Sequence, residues 1–105
     1  MSRKTNEQGF RERVTHWSET IGVKPKLVQL RGMKWKWASC STAGRVSFSK
    51  DLLRKRREFQ DYIIVHELLH LQVPNHGKLF KSFLVAYQPN WEKLHKGGGK
   101  KANLL

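Results

Sequence analysis

The sequence predicts an α+β domain, with a small antiparallel sheet of about three strands packed against an N-terminal helix, a central helix and C-terminal helices. Three observations lead there. Apolar residues recur at helical spacing in residues 5–21, 58–72 and 76–87. Residues 26–49 switch to short apolar or alternating runs, the signature of strands. At 105 residues the chain is long enough for one modest core. A single domain is expected over residues 1–96.

The elements follow in order. Phe10, Val14, Trp17 and Ile21 fall on one stripe with charges between them, so residues 5–21 form an amphipathic helix that Gly22 can end. Leu27-Val28-Gln29-Leu30 is short and apolar-rich, as strands are. Lys34-Trp35-Lys36-Trp37 alternates with period two, which predicts a strand with one aromatic and one basic face. Thr42-Ala43-Gly44 reads as a turn, and Val46-Ser47-Phe48-Ser49 alternates again. Lys50 to Arg57 is a basic loop with room for one helical turn. Residues 58–72 give the strongest helix, with Glu58 and Asp61 near its positive end and Pro74 stopping it at Gln72 or Val73. Leu79, Phe80, Phe83, Leu84 and Tyr87 line one face of the next helix. Pro89 opens a last short helix carrying Trp91 and Leu94. Gly97-Gly98-Gly99 then ends the ordered chain, and residues 97–105 are expected to form a flexible tail.

Composition narrows the class. Four Trp, five Phe and two Tyr supply core volume that a disordered chain lacks. The net charge of +13 predicts attraction to polyanions or acidic partners, against the plainer reading of a solvated basic surface. Cys40 is the one cysteine, so no internal disulfide can form and a reducing compartment fits. No apolar run follows the basic start Met1 to Thr5. Neither a signal peptide nor a membrane span is expected, and cytoplasm is the default.

The chemistry concentrates in the central helix. His66 and His70 stand four residues apart, which puts both rings on one helical face within reach of a single ion. Glu67 follows the first histidine, where a carboxylate can lie beside a metal without binding it. This is the His-Glu-x-x-His arrangement of two nitrogen ligands and one general base. Zinc lowers the pKa of its water toward ~7, and the glutamate can take that proton as the water attacks a carbonyl. A catalytic zinc keeps three protein ligands and one open position. His76 is the candidate third ligand, since the stop at Pro74 lets the chain turn back toward the ion. The plain alternative is that these are ordinary helix residues. That would leave two histidines and a glutamate among Tyr62-Ile63-Ile64-Val65, Leu68-Leu69 and Leu71, where buried polar groups need partners.

Several separate stretches carry a resemblance. Met33-Lys34, Trp37-Ala38-Ser39-Cys40-Ser41, Gly44-Arg45-Val46, Tyr62 to Leu71, and Asn75-His76 with Phe80 together resemble the YgjP-like metallopeptidase family, related to the SprT-like and WLM zinc peptidase domains. The resemblance spans roughly residues 30–95. It implies a minimal zincin, in which a small twisted sheet lies over an active-site helix with one zinc ion in the cleft. It implies His66, His70 and His76 as ligands and Glu67 as base. The strand Trp37, Ala38, Ser39, Cys40 would edge the cleft and pair with an extended peptide or protein substrate. Family members usually have Gly where Ala38 stands. The metzincin peptidases share the His70–His76 spacing, but they have Gly at the position of Val73 and a methionine turn downstream, whereas Met1 and Met33 both lie upstream.

Other residues admit two readings. Cys40 as a fourth ligand would close the site; a small packing residue is the better reading. Tyr87, Arg45, His16 and His95 are the candidate oxyanion donors, with Tyr87 better read as core. Asp51, Asp61 and Glu92 are candidate carboxylates behind a ligand histidine. Trp35 and Trp37 with Lys34 and Lys36 could clamp single-stranded nucleic acid, although alternation more often means one buried sheet face. Besides a peptidase, the sequence admits a zinc hydrolase of nucleotides or other anionic substrates, and a basic nucleic-acid-binding module with a structural zinc site. A monomer is the favoured state, and a tail folding into the cleft would restrain the enzyme.

Overall fold

Helix α1 (Asn6–Ile21) starts at a capping box: Gln8 N–H donates to Thr5 Oγ1 and Thr5 N–H to Gln8 Oε1. It ends where Gly22 takes φ 86°, letting the amides of Gly22 and Val23 both reach Ser18 O at 2.9 Å. The computed structural model describes residues 5–97. The expected flexible tail, and the idea that it folds into the cleft, fall outside the described residues except for Gly97, which caps the last helix. Strands β1 (Leu27–Arg31), β2 (Ala38–Cys40) and β3 (Arg45–Ser49) follow, then one 3₁₀ turn, Lys50–Arg54. Helices α2 (Arg57–Leu69), α3 (Lys78–Tyr87) and α4 (Trp91–Lys96) complete the chain.

The sheet is mixed, which corrects the antiparallel expectation. Its order is β1-β3-β2, with β1 parallel to β3 and β2 antiparallel to it. The cause lies in which strand is most apolar. Val46 and Phe48 of β3 are fully buried, whereas β1 alternates half-buried with exposed and β2 has three residues. The central position buries β3 best and pairs both its edges, so β1 and β2 flank it. The β2–β3 turn closes on Gly44 at φ 89°, with Lys26 packed against it. The predicted strand at Lys34–Trp37 is instead a bent connection that crosses the end of the sheet to reach β2. Trp37 is buried against Phe59 at 5.3 Å, but Trp35 is 70% exposed. Period-two alternation over four residues could not separate a strand from a loop with one buried anchor.

Val28, Leu30, Val46, Phe48 and Ala38 share the inner face of the sheet, where Phe10 of α1 meets Phe48 edge-on at 5.2 Å. Helix α2 is the axis of the molecule, buried at every residue from Phe59 to Leu69 except Asp61, which is half-buried. The sheet and α1 cover one side of it and α3 and α4 the other. Arg13 of α1 ties down the exposed turn of α2 through Asp61 at 2.9 Å and a bond to Gln60. At the other side Tyr62 Oη and His95 Nδ1 of α4 are 2.8 Å apart.

Candidate metal centre

The central helix is hydrophobic almost all round because protein surrounds it almost entirely. His66 and Glu67 therefore enter the interior with it, at 1% and 3% exposure. His70 is the C-cap residue. Beyond it the backbone tightens through Leu71 N–H to Leu68 O and Val73 N–H to Leu69 O, and Pro74 prevents a further helical turn. That turn carries His76 back over the helix end. Nε2 of His76 and Nε2 of His70 stand 2.8 Å apart. Each of His66, His70 and His76 offers a ring nitrogen within 4.8 Å of the others.

Phe80 of α3 seats all three rings. It is fully buried, stacks on His70 at 4.8 Å and meets His66 and His76 edge-on at 5.1 and 5.0 Å. The Val73 and Pro74 backbone lies beside the His70 ring and favours its protonated form, a smaller effect than burial. Burial, then the neighbouring imidazoles, holds His70 and His76 below the usual histidine pKa. Both are thus kept neutral.

The fit to a metal rests on His66. Both of its ring nitrogens are buried without a hydrogen-bond partner, and the Glu67 carboxylate is 3.7 Å from Nδ1. An imidazole stripped of water and given no partner is costly. A cation among the three imidazoles removes that cost, and a three-nitrogen donor set suits zinc.

The histidines and Glu67 open into a cleft of about 550 Å³. Its opposite wall is Ala38, Ser39, Cys40, Ser41 and Thr42, with Lys36 beside them. The structure thus brings together His66, Glu67, His70, His76, Ala38, Ser39 and Cys40. It leaves out Trp37, which is buried in the core instead of lining the cleft and whose carbonyl accepts from Ser49 N–H at 2.8 Å. Cys40 lines the cleft outside the histidine cluster, and burial followed by the Glu67 charge pushes its thiol pKa up.

None of Tyr87, Arg45, His16 or His95 lines the cleft. Tyr87 and His16 pack on Trp17, and Arg45 is exposed on β3. His95 joins Tyr62, which in turn meets His66 edge-on at 6.0 Å. Of the three candidate carboxylates, Asp61 is engaged with Arg13. Sequence reasoning missed Lys36 as a cleft residue and Phe80 as the buried seat of the histidine rings. Lys36 could have been found from its place just ahead of the cleft strand. Phe80 differs from the other core phenylalanines only in tertiary position.

The YgjP-like metallopeptidase domain profile matches residues 1–97. No curated relative matches the chain. Among solved structures, the chain is similar to the metallopeptidase zymogen abylysin of Pyrococcus abyssi, at 21% identity and TM-score 0.76 over 84% of this chain and 90% of that one. It is also similar to the metallopeptidase zymogen jannalysin of Methanocaldococcus jannaschii, at 22% and 0.75 over 90% and 94%. At such identities these likenesses speak for the fold, that of the minimal zincins. The profile match spans the sheet, the central helix and the histidine cluster together, and on it the chain belongs to the YgjP-like metallopeptidase family.

Proposed function

We propose that the chain is a zinc peptidase in which His66, His70 and His76 hold the ion, Glu67 is the general base, and the outer edge of β2 lays out an extended peptide. The observation that carries this reading is the buried, partnerless His66 beside two neutral imidazoles and a carboxylate. Zinc, when bound there, supplies a Lewis acid and an acidified water. Everything else falls to the chain.

Glu67 stands next to one ligand and lines the same cleft, so its carboxylate is placed to receive a proton from water and pass it to the leaving amine. The β2 edge supports peptide binding by its hydrogen-bond phase. Ser49 N–H donates to Trp37 O and Ser41 N–H to Arg45 O, so Trp37 and Ser41 face β3. Alternation along an antiparallel pair then turns the amides and carbonyls of Ala38 and Cys40 outward, onto the free edge. An extended peptide can pair there with its backbone across from the histidines. The small side chains of this wall leave room for the substrate's own. Lys36 is placed to meet negative charge on the substrate.

Purified protein should carry about one zinc per chain. Glu67→Gln should keep that zinc and lose peptide cleavage by about 10²–10⁴-fold. Full activity in Glu67→Gln would sink the base assignment. Hydrolysis of nucleotides but of no peptide, lost in the same variant, would move the chemistry to an anionic substrate.

A further inference from the structure

We propose that the solvent face of the sheet, with Trp35 at its end, is a docking platform for single-stranded nucleic acid, separate from the histidine cleft and bordering it at Lys36. Four observations carry this. First, residues 22–50, which build the whole sheet layer, contain seven Lys and Arg and no Asp or Glu. Second, the outer sheet face exposes Gln29, Arg31 and Arg45, with Ser39 half-exposed beside them. Register places Arg45 opposite Leu27 and Arg31 opposite Ser49, so the two guanidiniums lie at opposite ends of the face, roughly 13 Å apart along the strands. Neither has a carboxylate partner among the described residues. Third, Trp35 is 70% exposed, and core packing, which accounts for Trp37, leaves it unexplained. It projects between Lys34 and Lys36, with Lys34 Nζ 5.1 Å from its ring. Fourth, a shallow groove of about 350 Å³ runs beside β1 between Arg11 and Arg31.

Separated cations track a phosphate backbone, an exposed indole stacks on a base, and the exposed Gln29 amide and half-exposed Ser39 hydroxyl can meet a base edge. A flat face with one aromatic suits unpaired bases better than a duplex, whose bases are already stacked. An acidic protein segment would use the cations and leave the indole idle, so the indole decides between the two.

The test is fluorescence anisotropy of a labelled 15-nucleotide thymidine strand with the full chain over a salt series. Arg31→Gln with Arg45→Gln should weaken binding at least tenfold and flatten the slope of log affinity against log salt by about 1.4, at about 0.7 per phosphate contact. Trp35→Ala should weaken it about fivefold to a hundredfold, and Trp35→Phe should recover most of that. The control removes equal charge from α4, Lys93→Gln with Lys96→Gln, and should change little. Equal loss in the control and the sheet variant overturns the proposal in favour of diffuse charge attraction. Unchanged binding in Trp35→Ala, with polyglutamate competing as well as the oligonucleotide, overturns it in favour of an acidic protein partner. All altered side chains are exposed, and thermal melts verify that each variant folds. Repeating the titration in Glu67→Gln separates this proposal from the peptidase reading, because binding should persist where cleavage fails.

Discussion

His66, Phe80 and Cys40 each play a part set by surroundings more than by residue type. His66 is partnerless and buried, so it gains most from a cation. Phe80 gives all three imidazoles a common floor. Phe80→Ala should cost about 3–5 kcal/mol of stability by denaturant titration, the usual range for an emptied aromatic site. Phe80→Leu should still fold yet hold zinc more weakly in a chelator competition, because a branched aliphatic cannot stack on His70. Cys40 reports the charge of its neighbour. Burial is the larger cause raising its pKa and the Glu67 carboxylate the smaller, and both disfavour the thiolate. Its alkylation at pH 8 should be slower than that of free cysteine. Glu67→Gln should speed it, though not to the free rate, since burial remains. An unchanged rate in the variant would separate Cys40 electrostatically from the base.

At the scale of elements, the site is made where helices end and strands turn. Helix α2 stops at Leu69, His70 caps it, and the tight turn to Pro74 returns His76 to the His70 ring. The β2–β3 turn fixes the opposite wall. Gly44 sits at φ 89° with Lys26 Cγ 3.2 Å from where a side-chain carbon would begin. Gly44→Ala should cost about 1–3 kcal/mol, the range for a non-glycine residue in this region. It should also reduce peptide affinity, because the cleft strand leads into this turn. A loss of stability alone would show that the turn and the cleft edge are uncoupled.

At the scale of the molecule, one sheet and four helices among the described residues share one core with α2 at its centre, within a radius of gyration of 13.0 Å. No helix among the described residues is long and apolar enough to cross a membrane. In a fold this small, an ion held between the end of α2 and the segment before α3 would be part of the stability. Chelation should therefore lower the melting temperature of the wild type, by an amount equivalent to about 2.7 kcal/mol if the free metal had been a hundredfold above its dissociation constant. His76→Ala, with two ligands left, should melt lower from the start and respond little to chelator. An equal response in both would remove His76 from the ligand set.

Local chemistry was legible in the sequence. Helix periodicity placed three helices within a few residues and Pro89 the fourth, Gly22 marked the end of α1, α2 ended at Leu69 ahead of the expected Gln72 or Val73, and the spacing of His66, Glu67, His70 and His76 brought together the residues that the structure gathers in one cleft. These are short-range matters, decided by one or two turns of chain. Tertiary structure decided the rest, because it depends on which surfaces meet. Strand order followed from β3 burying best in the middle, which no local alternation encodes. Trp35 and Trp37 are equivalent by pattern, and only the packing of Phe59 against one of them made Trp37 core and left Trp35 in solvent. Phe80 became the floor of the histidine cluster once α3 docked against α2. The histidine spacing was written locally, but the burial that leaves His66 without a hydrogen-bond partner and holds His70 and His76 below the usual histidine pKa exists only when the core closes over them.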